Sequence, residues 1–380
     1  MESEQGQLAV GVDRPRAQGE CELSVIMPTT SWAEPFGTCA RRVLAMLDAA
    51  TIPAEFIVVH DGEAAKRPAW LRRPGVRVLG TPTRRGPAAA RNMAAAAARG
   101  RILFFVDADV ELAADALDRV SAAFASDDGT VAVFGAYDDA PAATGVVSQF
   151  RNLLHHHTHV THPGRAVTFW AGCGAVRAAH FHDVGGFDER YTVPSVEDVE
   201  LGMRIAAEGG LIVLDPSLQG KHHKRWTLAS MVQTDVTCRA VPWAELIERT
   251  GRSAATLAFD WRNRISGLLA VSGLVAFLVA AVTGFGWAVA LAAACVLGVA
   301  TLNLDFYRLC GRRRGAAFAL AACGLHVLFF VYSSVTFGVV VLRSRMLGVQ
   351  PRCSMPVAAG RAWRDASVSI AADEPLVPTA

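Results

Sequence analysis

Asp107 and Asp109, two positions apart in the run VDADV, carry the strongest chemical signal in this 380-residue chain. On an extended segment, residues two apart face the same way, so both carboxylates are expected to project together. Paired carboxylates at the carboxyl edge of a sheet offer oxygen ligands to a hard divalent cation. Such an ion can bridge a nucleotide's diphosphate and neutralise charge on a departing group. Solvated loop acids are the plainer reading. The apolar strand before them and the α/β alternation around them favour the metal.

Other candidates are spread along the chain. Asp61, in VVHDG, could accept hydrogen bonds from the base or ribose of a nucleotide, or could simply form a turn before Gly62. Arg91 and Asn92, in GPAAARN, sit on the first turns of a helix, where Arg91 could reach phosphate or base or form an ordinary surface pair. Glu197 and Asp198 open another helix, whose N-terminus stabilises an anion. That suits a general base; capping by acids is the plainer alternative. His222, His223, Lys224, Arg225 and Trp226 combine cationic donors with an aromatic platform. Lys224 and Arg225 could screen a diphosphate and Trp226 could stack on a sugar, or the run could be a basic membrane-proximal patch. In LLHHHTHVTH, helical spacing puts His155, His159 and His162 on one face, as the polar wall of a pocket or a solvated surface. No acid or cysteine completes a recognisable zinc pattern there.

These residues need a scaffold, and the sequence predicts one. Strands are expected at Glu22–Pro28, Glu55–Gly62, Val76–Gly80, Arg101–Val110 and Thr130–Tyr137. Helices are expected at Phe36–Ala49, Pro87–Arg99, Leu112–Ala125 and Gly145–His159, with another from about Glu197. The fold class is therefore α/β, a mostly parallel sheet flanked by helices, followed by C-terminal transmembrane helices. Residues 1–20 lack a basic and an apolar signal region and are read as a disordered tail. The catalytic domain is placed at 21–239 and an interfacial connector at 240–264. Trp243, Leu246 and Ile247 share one face of that connector, and Trp261, Arg262 and Arg264 suit a headgroup boundary.

Composition agrees with a membrane part. The chain is 52% hydrophobic and 19% charged, with net charge +2, so no global field for nucleic acid is implied. Ile265–Leu304 carries no charge, over twice the ~20 residues a span needs. A break at Thr283–Gly286 predicts a hairpin, and Ala316–Leu342 is a third candidate span, so about three helices are expected over 265–342. Residues 343–380 form a tail. Arg262, Arg264, Arg308 and Arg312–Arg314 fall on one side, which the positive-inside tendency makes the cytosol. A third span would put the tail outside, against which Arg343 and Arg345 argue. The eight scattered cysteines contain no C-x-x-C pair and fit a reduced, cytosol-facing protein at the cell membrane.

Taken in order, SVIMPTT, VVHDG, GPAAARN, VDADV and FWAGCGAVRA followed by VGGFDERY and VEDVELGMR resemble the inverting family 2 glycosyltransferases over about residues 22–230. HHKRW resembles the Q-x-x-R-W motif of ceramide glucosyltransferases and polysaccharide synthases, with His222 in place of Gln and Val196 in place of Thr. The resemblance implies a GT-A-type fold, a Mg or Mn ion at Asp107 and Asp109, and Asp198 as catalytic base beside Glu197. It puts Pro28, Asp61, Arg91, Asp107, Arg225 and Trp226 on the donor side and Gly172, Cys173, Gly174 and His222 on the acceptor side. The implied partners are a nucleotide-sugar, a lipid or lipid-linked acceptor and the membrane. A processive polysaccharide synthase subunit is one alternative, and a non-catalytic membrane scaffold retaining the fold is another. A nucleotidyltransferase would need a glycine-rich loop that MPTTSWAEP lacks.

Overall fold

A computed structural model describes residues 21–62, 66–125, 129–250 and 261–347. The expected tail at 1–20, residues 348–380 of the tail expected at 343–380, and the connector residues 251–260 lie outside the described residues.

Nine strands form one sheet in the order β3-β2-β1-β4-β8-β6-β9-β5, with β7 on β9. They are β1 (Leu23–Thr29), β2 (Ala54–Asp61), β3 (Val76–Thr81), β4 (Ile102–Val106), β5 (Val110–Leu112), β6 (Thr130–Tyr137), β7 (Gly164–Ala166), β8 (Cys173–Arg177) and β9 (Leu211–His222). The half built from β3, β2, β1 and β4 is parallel. Beyond it β8 runs antiparallel to β4 and β6, while β6 and β9 are parallel.

Helices cover both faces. Because strand side chains alternate, Leu23, Val25 and Met27 of β1 meet α1 (Phe36–Ala49) and α3 (Ala116–Ala125) through Cys39, Val43 and Val120. Ile26 and Phe105 point the other way, towards α2 (Pro87–Ala97), α5 (Ala178–Asp183) and α6 (Glu197–Ala207). Phe105 is in ring contact with Phe169, Phe181 and Phe187 at 5.1–6.5 Å. Both-face burial explains why these strands read as unbroken apolar runs.

The second half carries α4 (Val146–Val160), α7 (Leu228–Asp235), a π-turn (Val236–Ala240) and α8 (Val241–Thr250). Then come α9 (Trp261–Thr283), α10 (Gly286–Leu302), α11 (Leu304–Arg314) and α12 (Ala316–Leu347). α9 and α12 are each long and apolar enough to cross a membrane. α10 and α11 pass that test only together, and they bend by 74° at their junction. The apolar face of α8 is covered by protein: Leu246 is buried against Tyr191, Val196 and Met203, with Trp243 alongside. The sheet-bearing part and the C-terminal helices share a further core of Phe150, Leu153, Trp226, Met231, Phe306 and Cys310.

Candidate active site

The parallel strands deliver their carboxyl ends to one edge of the sheet, and a cleft of about 1520 Å³ opens there. Pro28, Asp61, Arg91, Asp107, Asp109, Glu197, Asp198, His222 and Trp226 all line it.

Asp61 ends β2 and is buried. Its Oδ1 accepts hydrogen bonds from Thr81 Oγ1 at 2.8 Å and the Arg85 amide at 2.9 Å, and its Oδ2 accepts from the Gly86 amide at 2.8 Å. The carboxylate therefore holds the 81–86 loop in place as well as facing the cleft. Gly86 has φ +94°, and a Cβ there would meet the Thr192 backbone at 2.5 Å. Only glycine lets these two loops close on each other.

Asp107 and Asp109 do not lie on one strand, as the spacing predicts. β4 ends at Val106, and the Val110 amide donates to Asp107 O at 3.0 Å, so the acids occupy a tight turn between β4 and β5. The turn, not the two-residue pleat, brings both to the cleft. Arg91, nearly fully buried, donates to Asp107 Oδ1 at 2.7 Å and to Glu197 Oε1 at 2.8 Å. Burial works against its charge, but Asp107 and Glu197 outweigh that and hold the guanidinium cationic. Arg91 is thus a strut between β4 and α6. Asn92, one position on, clasps the Phe187 backbone through both atoms of its amide, at 2.8 and 2.9 Å.

The two acids differ electrostatically. Burial and the neighbouring Asp109 push the Asp107 carboxyl up, against the pull of Arg91. At Asp109 burial is overcome by His222 and Lys224, which hold it below the usual carboxylate range. His222 Nε2 stands 3.7 Å from Asp109 Oδ2. Among the described residues no group of three or more His, Cys, Asp or Glu gathers in metal-binding geometry. Both carboxylates remain about a third exposed to the cleft. The donor set fits a hard divalent ion such as Mg or Mn that draws its other ligands from phosphate and water.

Glu197 and Asp198 have separate surroundings. Glu197 is committed to Arg91 and to the Ser195 amide, at 2.8 Å each. Asp198 accepts from the Ala171 amide at 3.1 Å and the Val199 amide at 2.8 Å and makes no ion pair among the described residues. Burial, with Glu197 beside it, raises the Asp198 carboxyl to about 7. A group at that value is half ionised near neutrality, which suits proton transfer.

Gly172, Cys173 and Gly174 lie behind the cleft lining. A Cβ at Gly172 would meet the Trp170 ring at 2.6 Å, and one at Gly174 the Trp170 carbonyl at 2.3 Å. Cys173 is in the core. Their smallness lets Trp170 fold over the sheet into the cleft. There it meets Tyr137 at 4.8 Å, His155 at 4.7 Å and His159 at 5.6 Å between ring centroids. Tyr137 stacks on His222 at 4.2 Å and 14°. Burial drives His155 well below its usual value and His159 to about 4, so this wall is neutral and aromatic. His162 is not part of it: α4 ends at Val160, and His162 caps Thr158 O from outside. Arg225 is exposed and not in the cleft lining, whereas Lys224 lies in it with its ammonium 4.3 Å over the Trp226 ring. Tyr137 carries no motif, and Trp170, though it lies in FWAGCGAVRA, takes no role of its own from that motif; only their aromatic character beside the histidine run points to them.

Residues 24–185 match the model of glycosyl transferase family 2. That stretch includes Asp61, Arg91, Asp107 and Asp109 and ends before Asp198 and the His222–Trp226 run. Two Mycobacterium tuberculosis proteins, from strains CDC 1551 / Oshkosh and ATCC 25618 / H37Rv, are named N-acetylglucosaminyl-diphospho-decaprenol L-rhamnosyltransferase. Each is 50% identical over 52 residues. The aligned stretch is 14% of this chain and 17% of theirs. Among solved structures, the mannosyltransferase PcManGT from Pyrobaculum calidifontis, in complex with GDP-Man and Mn2+, is similar at 19% identity. It has a TM-score of 0.45 and covers 85% of this chain and 87% of its own. S. aureus TarS 1-349 is similar at 14% identity and TM-score 0.43, over 86% and 92%.

Proposed function

We propose that this chain is an inverting, divalent-metal-dependent glycosyltransferase that moves a sugar from a nucleotide-sugar to a lipid-linked acceptor at a membrane surface. One observation carries the reading. A single cleft joins the Asp107–Asp109 turn and Asp198 to the apolar helices α9 and α12. It exceeds the ~300–1,000 Å³ of a usual one-ligand pocket, leaving room for donor and acceptor together.

Asp198 is the general base. Its free side faces the cleft, and its raised pKa leaves it able to take a proton from an acceptor hydroxyl near neutral pH. As the proton leaves, the hydroxyl oxygen attacks the anomeric carbon and the bond to the nucleoside diphosphate breaks, which inverts that centre. Glu197 positions Arg91, and Arg91 sets the Asp107 carboxylate. Asp61 shapes the nucleotide end through the 81–86 loop, and Pro28 lines the cleft beside it. When bound by Asp107 and Asp109, Mg or Mn supplies positive charge to the departing diphosphate. His222 holds Asp109, and the neutral wall of Tyr137, His155, His159 and Trp170 offers ring faces to a sugar. Trp226 joins the domain to the helices and keeps Lys224 over the cleft.

α9 and α12, each long and apolar enough to cross a membrane, support membrane anchoring. Arg313 pairs with Asp139, and Arg314 donates to Gln149 and to Asp139 O. The arginines that the positive-inside tendency assigns to the cytosol thus touch the catalytic half, which supports a cytosol-facing site. The lipid-linked acceptor in the name of the M. tuberculosis relatives supports the same acceptor class here.

The test is to incubate membranes holding the protein with a panel of labelled nucleotide-sugars and extract lipids. One organic-extractable glycolipid of defined mass is expected. Label confined to soluble protein, or no metal-dependent transfer from any donor, would overturn the proposal.

A further inference from the structure

A cationic cluster lines the cleft where it meets the apolar helices. Arg151 of α4 donates to Asp235 Oδ1 at 2.8 Å, and Arg239 of the π-turn bonds the same oxygen. Tyr332 of α12 donates to Asp235 Oδ2 at 2.6 Å. Lys224 lies 4.3 Å from the Trp226 ring centroid, and the Arg239 guanidinium 5.7 Å from it. Arg151 and Arg239 thus share one acid, and Lys224 stands with Arg239 at the Trp226 ring. Asp235 is almost wholly buried, so its position is fixed by the fold and the cations are arranged around it.

The cluster carries more positive charge than Asp235 alone offsets. Burial, with Arg239 as a like charge, lowers the Arg151 pKa against the pull of Asp235. Arg239 also sits on a π-turn, a local distortion found frequently at functional sites. Tyr137 feels Asp107 and Asp109 on one side and Arg151 and Arg239 on the other. Lys224 also acts on Asp109, so the cluster adjoins the metal end at Tyr137. On its far side the cleft continues along Leu268, Val271, Phe329, Phe330 and Phe337.

Resting on the glycosyltransferase reading, we infer that Arg151, Lys224 and Arg239 bind the phosphate of a phosphate-linked lipid acceptor. Its hydrocarbon chain lies along α9 and α12, and its sugar-accepting hydroxyl reaches Asp198 past the aromatic wall. Guanidinium groups suit phosphate through paired N–H donors, and part of the donor capacity of Arg151 and Arg239 is left over from Asp235. The apolar run beyond the cluster separates this ligand from a soluble phosphate ester.

The experiment uses the purified full chain in detergent and follows tryptophan fluorescence on titration with farnesyl phosphate, farnesol and sodium phosphate. Farnesyl phosphate is expected to bind at least tenfold tighter than either of the others. Arg239→Gln should weaken it by about tenfold, as expected for losing a charged hydrogen bond, and Arg239→Lys should recover most of that. Arg239 is partly exposed, so these variants keep the buried Arg151–Asp235 pair. Equal affinity for farnesol, equal affinity for sodium phosphate, or unchanged binding in Arg239→Gln would each overturn the inference. Nucleoside diphosphate binding with Mn, measured on the same samples, reports on the glycosyltransferase reading separately. Losing that signal while the farnesyl phosphate preference persists sinks the enzyme reading and leaves the phosphate site standing.

Discussion

Replacing Asp198 by Asn separates base catalysis from architecture. Asn keeps the shape and can still accept the Ala171 amide through its oxygen, but it cannot take a proton. Removing a general base costs ~10²–10⁴-fold in rate, or ~2.7–5.4 kcal/mol of barrier at 1.36 kcal/mol per decade. The raised pKa adds two pH signatures. In the parent, transfer should fall about tenfold per unit as pH drops below about 7, because only the ionised carboxylate acts. The stability signature has the opposite sign to that of a salt-bridged acid. The folded state holds the proton between the unfolded value near 3.8 and about 7, so this group's contribution declines as pH rises through that window. The stability of Asp198→Asn relative to the parent should therefore improve from pH 4 to pH 8. The assays are initial-rate kinetics, a nucleoside diphosphate titration and thermal melts at several pH values. Near-normal turnover with unchanged nucleotide affinity would show that Asp198 is a helix cap and refute the base assignment.

Asp109→Ala should weaken nucleoside diphosphate binding when Mg or Mn is present and leave it equal to the parent in a chelator, as read by calorimetry. Arg91→Gln strands the buried Glu197 charge and should cost ~3–5 kcal/mol of stability, measured by denaturant unfolding. Phe105→Ala removes a ring packed among Phe169, Phe181 and Phe187 and should cost ~3–5 kcal/mol, again by unfolding. Mass spectrometry of the product should show one sugar or very few added, not a polymer.

The first part of the fold is legible because its strands are buried on both faces. β1, β2, β4 and β6 are nearly continuous apolar runs, and Gly and Pro punctuate the helices between them. β9 escapes the same reasoning. Its residues alternate buried and partly exposed, and Pro216 interrupts it, so LIVLDPSLQGKH reads as a strand only once β6 lies beside it. β8 is short and its glycines look like a loop, because they serve Trp170 and not the strand.

The site divides the same way. Asp61, Arg91, Asp107, Asp109 and Asp198 carry local signals, and all of them line one cleft. What each one touches is not local. Arg91 spans from α2 to β4 and α6, so its ion pairs cannot be read from GPAAARN. The shared orientation of Asp107 and Asp109 is legible, but its cause is a turn that the apolar run before it conceals. The Arg151–Asp235–Tyr332 network joins three distant segments, and only the isolation of Asp235 in an otherwise uncharged helix hints at it.

The most direct measurement is proton NMR of the transfer reaction with the purified protein, Mn and a lipid acceptor. It follows nucleoside diphosphate release and the anomeric configuration of the product together. A stoichiometric product of inverted configuration, abolished by chelator and by Asp198→Asn, is expected. Retained configuration, or transfer that survives the chelator, would contradict the proposed site chemistry.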